Sequence, residues 1–295
     1  SASVVAVEPE GFFNFYPRIH QASGTLAYLS NRGRATSWVS LYTTSLDSLS
    51  LMDPKQALGS EPQRRSALGD QPLYSPPIAG HAHMHEQEPA IKYINTAFDW
   101  SPDGNYLVYS VNKRNHYGED YRDLFIYDLA NEEDIRLTES ARLESPTWHP
   151  GSQGLAAIQQ NNGTQQLVWS SLPATSQLSE GVGEKKRRLA LDANWTPLSD
   201  FTNGQTLFTP VWHPEQSVLY GAYADEGARQ LFRVSLTVNA EGQVQEHAFE
   251  ALTQSNFDLR DPFVSPDGAY LYFSADPEGR FNIYRVSLDP SGSVV

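Results

Sequence analysis

No cysteine occurs among the 295 residues, which excludes disulfides, a thiol nucleophile and cysteine-ligated zinc. There is no apolar run of roughly 18 residues, the length that crosses a bilayer as a helix, so no membrane span is expected. Basic residues are scarce: 21 Lys and Arg stand against 35 Asp and Glu, for a formal net charge of −14. Phosphate backbones need a basic face, and this balance argues against nucleic acid as a partner. The local exception, Lys185-Lys186-Arg187-Arg188, lies in a Gly/Ser-rich stretch and reads as a solvated loop. Also missing are a Gly-x-Ser-x-Gly elbow, a Walker loop, a Gly-x-Gly-x-x-Gly turn and a His-Glu-x-x-His pair. No secretory signal pattern opens the chain, and Ser1-Ala2-Ser3 is compatible with a processed end.

Against these absences stands an internal repeat. Trp100-Ser101-Pro102-Asp103-Gly104, Trp148-His149-Pro150-Gly151, Trp212-His213-Pro214-Glu215 and Val264-Ser265-Pro266-Asp267-Gly268 are versions of one phrase. With Ser101, His149, His213 and Ser265 as position zero, Leu107, Leu155, Leu219 and Leu271 follow six residues later. Pro146, Pro210 and Pro262 stand three residues earlier, with Phe98 as the exception, and a degenerate copy holds Pro17, His20 and Leu26. A second motif covers Ser40 to Leu46, Asp123 to Leu129, Gln166 to Leu172, Gln230 to Leu236 and Asn282 to Leu288. Its copies begin 20, 22, 17, 17 and 17 residues after position zero. Two motifs holding one register through five copies mark repeated supersecondary units.

Each unit has a simple physical logic. Pro-x-Trp reads as a short buried strand with Pro at its entrance, where no ladder donor is needed. Pro-Asp-Gly reverses the chain: Pro presets φ, Asp bonds the local backbone and Gly takes positive φ. Tyr106 to Ser110 and Tyr270 to Ser274 are aromatic and β-branched strands. A polar turn leads into the third strand, and Ile135-Arg136-Leu137-Thr138 or Ala251-Leu252-Thr253 supplies a fourth. Four antiparallel strands per unit describe a propeller blade. These residues resemble the TolB-like, WD40-like (PD40) propeller repeat over roughly Tyr16 to Leu288. The resemblance implies an all-β propeller and says little of activity, since the repeat serves both periplasmic binding propellers and the non-catalytic propellers of oligopeptidases.

The expected fold is therefore a β-propeller of four-stranded antiparallel blades forming a single domain, 1–295. Blades are placed near 16–46, 97–140, 145–200, 209–254 and 261–295 plus 4–7, with an insertion at 47–94. Five blades are expected, with six as the alternative if 47–94 hides another. Val4 to Val7 is expected to close the ring by pairing beside Asn282 to Leu288, because a closed ring leaves no long bare edge. The competing reading is a piece of a larger ring or a larger polypeptide.

Chemistry-bearing residues are few. In Gly80-His81-Ala82-His83-Met84-His85-Glu86 the three histidines point one way if the segment is extended, a spacing that suits a divalent transition-metal ion. The bland alternative is a polar loop. A propeller lyase family that cleaves oligogalacturonates is similar in pairing propeller repeats with a His-rich manganese site. Its histidines hold no comparable place in the repeat, and none is carried over. Arg260-Asp261-Pro262 resembles the Arg-Asp-Pro motif of five-bladed fructan-cleaving glycosidases, which implies a nucleophilic carboxylate and a general acid. This chain lacks their N-terminal Asn-Asp-Pro-Asn-Gly, with Glu8-Pro9-Glu10-Gly11 a weak stand-in, and Pro262 is explained as the repeat's Pro. His149 and His213 replace the repeat's Ser and read as turn caps; Trp100, Trp148 and Trp212 read as core.

Function on a propeller normally resides in loops. The candidates are Asp47 to Ile94, Pro173 to Trp195, and the Asn112 to Arg122 hairpin, whose Lys113, Arg114, His116, Tyr117 and Tyr121 form a candidate binding surface. The leading expectation is a periplasmic or extracellular, non-catalytic module that binds a protein partner or a small ligand at its insertion loops or channel mouth. The alternatives are a metal-dependent polysaccharide lyase using His81, His83 and His85, a glycosidase using channel carboxylates, and an oligomer-forming structural subunit.

Overall fold

Runs of β-branched and aromatic residues punctuated by tight turns produce twenty strands among the described residues. The computed structural model describes residues 14–31, 39–46, 94, 96–173, 178, 188–189, 191, 195–225 and 227–295, together with the backbone of 4–5 and 51–52. The chain divides into two units, Ser1–Asn95 and Thr96–Val295. In the first, β1 (Val4–Val5), β2 (Asn14–His20), β3 (Thr25–Ser30), β4 (Ser40–Ser45) and β5 (Leu51–Met52) form a β2-β3-β4 meander and a separate β1-β5 ladder. Leu26, Tyr28 and Tyr42 make its buried cluster, with the two tyrosine rings stacked 5.9 Å apart.

The second unit holds four sheets, each connected in strict sequence order. They are β6 (Phe98–Trp100), β7 (Tyr106–Arg114), β8 (Asp120–Asp128), β9 (Glu133–Arg136); β10 (Leu143–Trp148), β11 (Gly154–Asn161), β12 (Thr164–Ser171), β13 (Thr196–Pro197); β14 (Thr206–Trp212), β15 (Val218–Ala224), β16 (Gln230–Val238), β17 (Val244–Ala251); and β18 (Leu259–Val264), β19 (Tyr270–Ala275), β20 (Asn282–Ser287). Strand alternation sends neighbouring residues to opposite faces, and both faces are apolar. Leu155 and Ala157 pack toward the preceding sheet with Val108 and Ile126, whereas Ala156 and Ile158 pack toward the following one with Leu219 and Phe232. Val218, Tyr220 and Ala222 repeat the pattern one sheet on, against Leu259, Val264 and Leu271. Sequential meanders stacked face to face are propeller blades, and with β2-β3-β4 the chain has five blade sheets.

The repeat also fixes how the outer strands lock. The N–H groups of Leu124, Leu167 and Leu231 donate to the hydroxyls of Thr138, Ser199 and Thr253 at 2.9, 3.0 and 2.9 Å. Leu124, Leu167 and Leu231 are at most 2% exposed, but Ile283, their equivalent in the last sheet, is 81% exposed. No described strand covers β20 as β9, β13 and β17 cover their neighbours.

The expected closure by Val4 to Val7 is corrected. Val4 and Val5 pair with Met52 and Leu51, within their own unit, and Ala6 and Val7 lie outside the described residues. The edge of β20 instead receives the chain's own return: Leu288 bridges Val294, and the Val295 N–H donates to the Ser287 carbonyl at 3.1 Å. Local returns close short loops, which costs less entropy than recruiting a strand from the far end of the chain.

Candidate functional site

The first strand of a sheet breaks register wherever the repeat supplies its Pro. Pairing skips between Phe15 and Arg18, Glu144 and Thr147, Phe208 and Val211, and Arg260 and Phe263. The residue before each Pro is left-handed: Tyr16, Ser145, Thr209 and Asp261 have φ of 58°, 49°, 44° and 52°. Pro has no N–H to give the ladder, so a bulge is tolerated there, and the extra residue re-aims its neighbours. The control is internal. β6 carries Phe98 in place of Pro and pairs without a shift.

Three of these bulges meet at one cavity of about 260 Å³. Its wall is built from the bulge pairs Glu144-Ser145, Phe208-Thr209 and Arg260-Asp261, with Gln165, Leu207, Ala222 and Arg229 completing it. Glu144 is fully engaged: one oxygen accepts from Arg122 and the other from Gln165 Nε2 at 3.1 Å. Gln165 in turn accepts the Leu207 N–H at 2.5 Å. Arg229 stacks 4.0 Å above the Phe208 ring, and its backbone N–H donates to Asp258 at 2.9 Å. Asp258 pairs through its other oxygen with Arg260, which also lies 4.4 Å over Phe281. The Arg229 backbone N–H, followed by the Arg260 guanidinium, holds the Asp258 carboxyl below the usual range. The Thr209 hydroxyl is buried with no partner.

The residues named from sequence lie elsewhere or play other parts. His81, His83 and His85 fall outside the described residues. Among the described residues no group of three His, Asp or Glu is placed to hold a metal ion. The β7–β8 hairpin brings Lys113, Arg114, His116, Tyr117 and Tyr121 onto one ribbon, and none of them lines the cavity. Lys113 pairs opposite Tyr121, and Arg114 ion-pairs with Asp120 at 3.1 Å. Arg142 lies 4.7 Å over the Tyr121 ring, the His116 and Tyr117 rings are 3.7 Å apart, and Tyr117 is 77% exposed. Pro262 is the repeat's Pro, as expected, but Arg260 and Asp261 before it do line the cavity.

The position-zero residues are caps. Tyr106 N–H donates to Ser101 Oγ at 3.0 Å, and Tyr270 N–H to Ser265 Oγ at 2.9 Å. His149 Nδ1 accepts the Gly151 N–H at 3.0 Å, which places the ring proton on Nε2, 3.0 Å from Ser217 Oγ. Burial between Trp169 and Trp212 lowers the His149 pKa to about 4. What sequence reading missed is Glu144, Ser145, Phe208, Thr209 and Arg229. The available signal was the pair of residues immediately before each repeat Pro.

No known family profile matches the chain. Among solved structures it is similar to TolB from Acinetobacter baumannii, at 12% identity and a TM-score of 0.58, covering 97% of this chain and 53% of that one. It is also similar to prolyl oligopeptidase B from Galerina marginata bound to a 35mer hydrolysis and macrocyclization substrate, at 12% identity and a TM-score of 0.52, covering 96% and 35%. The apo form of that enzyme matches at 11% identity and the same TM-score, covering 96% and 34%. The chain thus spans about half of the TolB structure and about a third of the oligopeptidase. The shared feature is the fold, a TolB-like β-propeller.

Proposed function

We propose that this propeller is a non-catalytic binding module, periplasmic or extracellular, that engages a protein partner or small ligand at the cavity formed by its bulged strands. The observation that carries this is the meeting of three sheets' bulges at one cavity. Bulges concentrate where a fold presents side chains to a ligand, and a concave wall mixing apolar residues with a few polar groups is the usual form of a binding site. The state of Glu144 favours binding over glycoside hydrolysis. A hydrolase needs two available carboxylates flanking the bond, and both oxygens of Glu144 are already engaged.

A photo-crosslinking phenylalanine analogue placed singly at Phe208 and at Tyr117 tests the site with the intact chain and a periplasmic or extracellular extract. Adducts at Phe208 alone are expected. Adducts only at Tyr117 would move the binding surface to the β7–β8 hairpin, and none at either position would sink the proposal.

A further inference from the structure

Arg229 is an unusual residue in an acidic chain. Its guanidinium carbon lies 4.0 Å over the Phe208 ring centroid, and its backbone is pinned on both sides, by Asp258 at 2.9 Å and by the Leu259 N–H at 3.0 Å. Contact with the ring face restrains the guanidinium and leaves N–H donors for other partners. With 35 acidic residues against 21 basic ones an internal carboxylate partner would be ordinary. Among the described residues, none lies within ion-pair distance of Arg229. Asp258 feels the Arg229 charge but gives one oxygen to the Arg229 backbone and the other to Arg260. A half-buried guanidinium in a cavity wall, with no carboxylate among the described residues within ion-pair distance, is a ready donor to a planar oxyanion, because two parallel N–H groups match a carboxylate.

The rest of the wall narrows the ligand. The Thr209 hydroxyl is buried and unpartnered, and a hydrogen-bonding ligand atom would satisfy it. Asp261 adds an exposed carboxylate to the same wall, which suits an N–H or ammonium on the ligand. Leu207 and Ala222 offer apolar contact. At about 260 Å³ the cavity falls below the ~300–1,000 Å³ of drug-sized pockets and suits a terminal group. Resting on the binding role proposed above, we infer that this is a carboxylate site. Arg229 holds the carboxylate, and Asp261 receives an N–H of the same or the adjoining residue, as in a peptide C-terminus or a free amino acid.

Calorimetric titration of the whole chain with the tripeptide Ala-Ala-Leu, its C-terminal amide and free leucine tests this. The free acid is expected to bind about tenfold or more tightly than the amide, and Arg229→Met is expected to erase that difference. Arg229→Lys, which keeps the charge without the planar fork, falls between them and decides the matter if the Met variant does not fold. Tighter binding of the peptide assigns a terminus; equal binding of leucine assigns a free acid. Equal affinity for acid and amide, or no saturation by either carboxylate at millimolar concentration, overturns the carboxylate site. In that case adducts at Phe208 that survive Arg229→Met would leave the binding module standing, and their absence in the parent chain would remove both.

Discussion

His213 Nε2 donates to the carbonyl oxygen of Gly268 at 3.1 Å, fastening the turn of one blade to the turn of the next. The Nδ1 of the same ring accepts from the Glu215 and Gln216 N–H groups at 3.2 and 3.1 Å, so the proton must reside on Nε2. A residue that resembles a metal ligand is therefore a two-sided structural clip.

Gly268 tests the clip. It has φ of +69°, and an added Cβ would sit 2.5 Å from His213 Cε1. Gly268→Ala is expected to lower stability by about 3 kcal/mol, combining left-handed strain with the clash. Gly279→Ala, with φ of +72° but open space, isolates the strain and should cost only about 1 kcal/mol. Urea denaturation midpoints compare them, and equal losses would refute the clip.

His149 predicts an acid response. Its folded pKa of about 4 lies below the ordinary 6.5, so the unfolded chain takes up the proton first as pH falls. Its contribution is full above pH 6.5, declines between 6.5 and 4, and stays lost below that, amounting to about 3 kcal/mol. His149→Asn, whose amide oxygen can still cap the turn, should be less stable at neutral pH and flatter across that window. Denaturation at successive pH values reads this directly.

Asp123 is 1% exposed and accepts from Arg136 at 2.7 Å, the Ala141 N–H at 3.1 Å and the Thr138 hydroxyl at 3.3 Å. Asp123→Ala is expected to cost about 3 kcal/mol, because it strands a part-buried guanidinium and an N–H group. A double-mutant cycle with Arg136→Met should show strong coupling. The Arg114–Asp120 pair, 70% and 54% exposed, should leave thermal melting unchanged when broken.

Thr209 combines a β-branched side chain with φ of 44° and an unpartnered hydroxyl. Thr209→Gly is expected to raise stability by ~1 kcal/mol by relieving backbone strain and removing the buried polar group. The same change should weaken binding of the Ala-Ala-Leu acid. Loss of stability would show that the Thr209 methyl group matters more than the strain.

The blades were legible because their determinants are local: Pro, Ser or His, Asp and Gly act within a few residues of themselves. The fourth-strand lock was partly legible in Leu137-Thr138 and Leu252-Thr253. The bulges were harder to read, since Pro146 shows that a donor is missing but not that Ser145 turns left-handed. The cavity was hidden altogether, because its wall draws on three blades, Glu144 from one, Thr209 and Arg229 from the next and Asp261 from the last, which meet only through packing. Val4 and Val5 failed for a related reason: a short apolar run does not say which of several edges it will choose.

The bare flank of β20 has a colloidal consequence. Ile283 and Tyr284, 81% and 38% exposed, lie in β20, which no described strand covers beyond the short return at Ser287 and Leu288. At a net charge of −14, mutual repulsion holds copies apart while their fields reach beyond contact. Added salt shortens that reach to about 8 Å at physiological strength and less above it. Self-association through β20 should thus depend on ionic strength, and more of it is expected in brine than in dilute buffer.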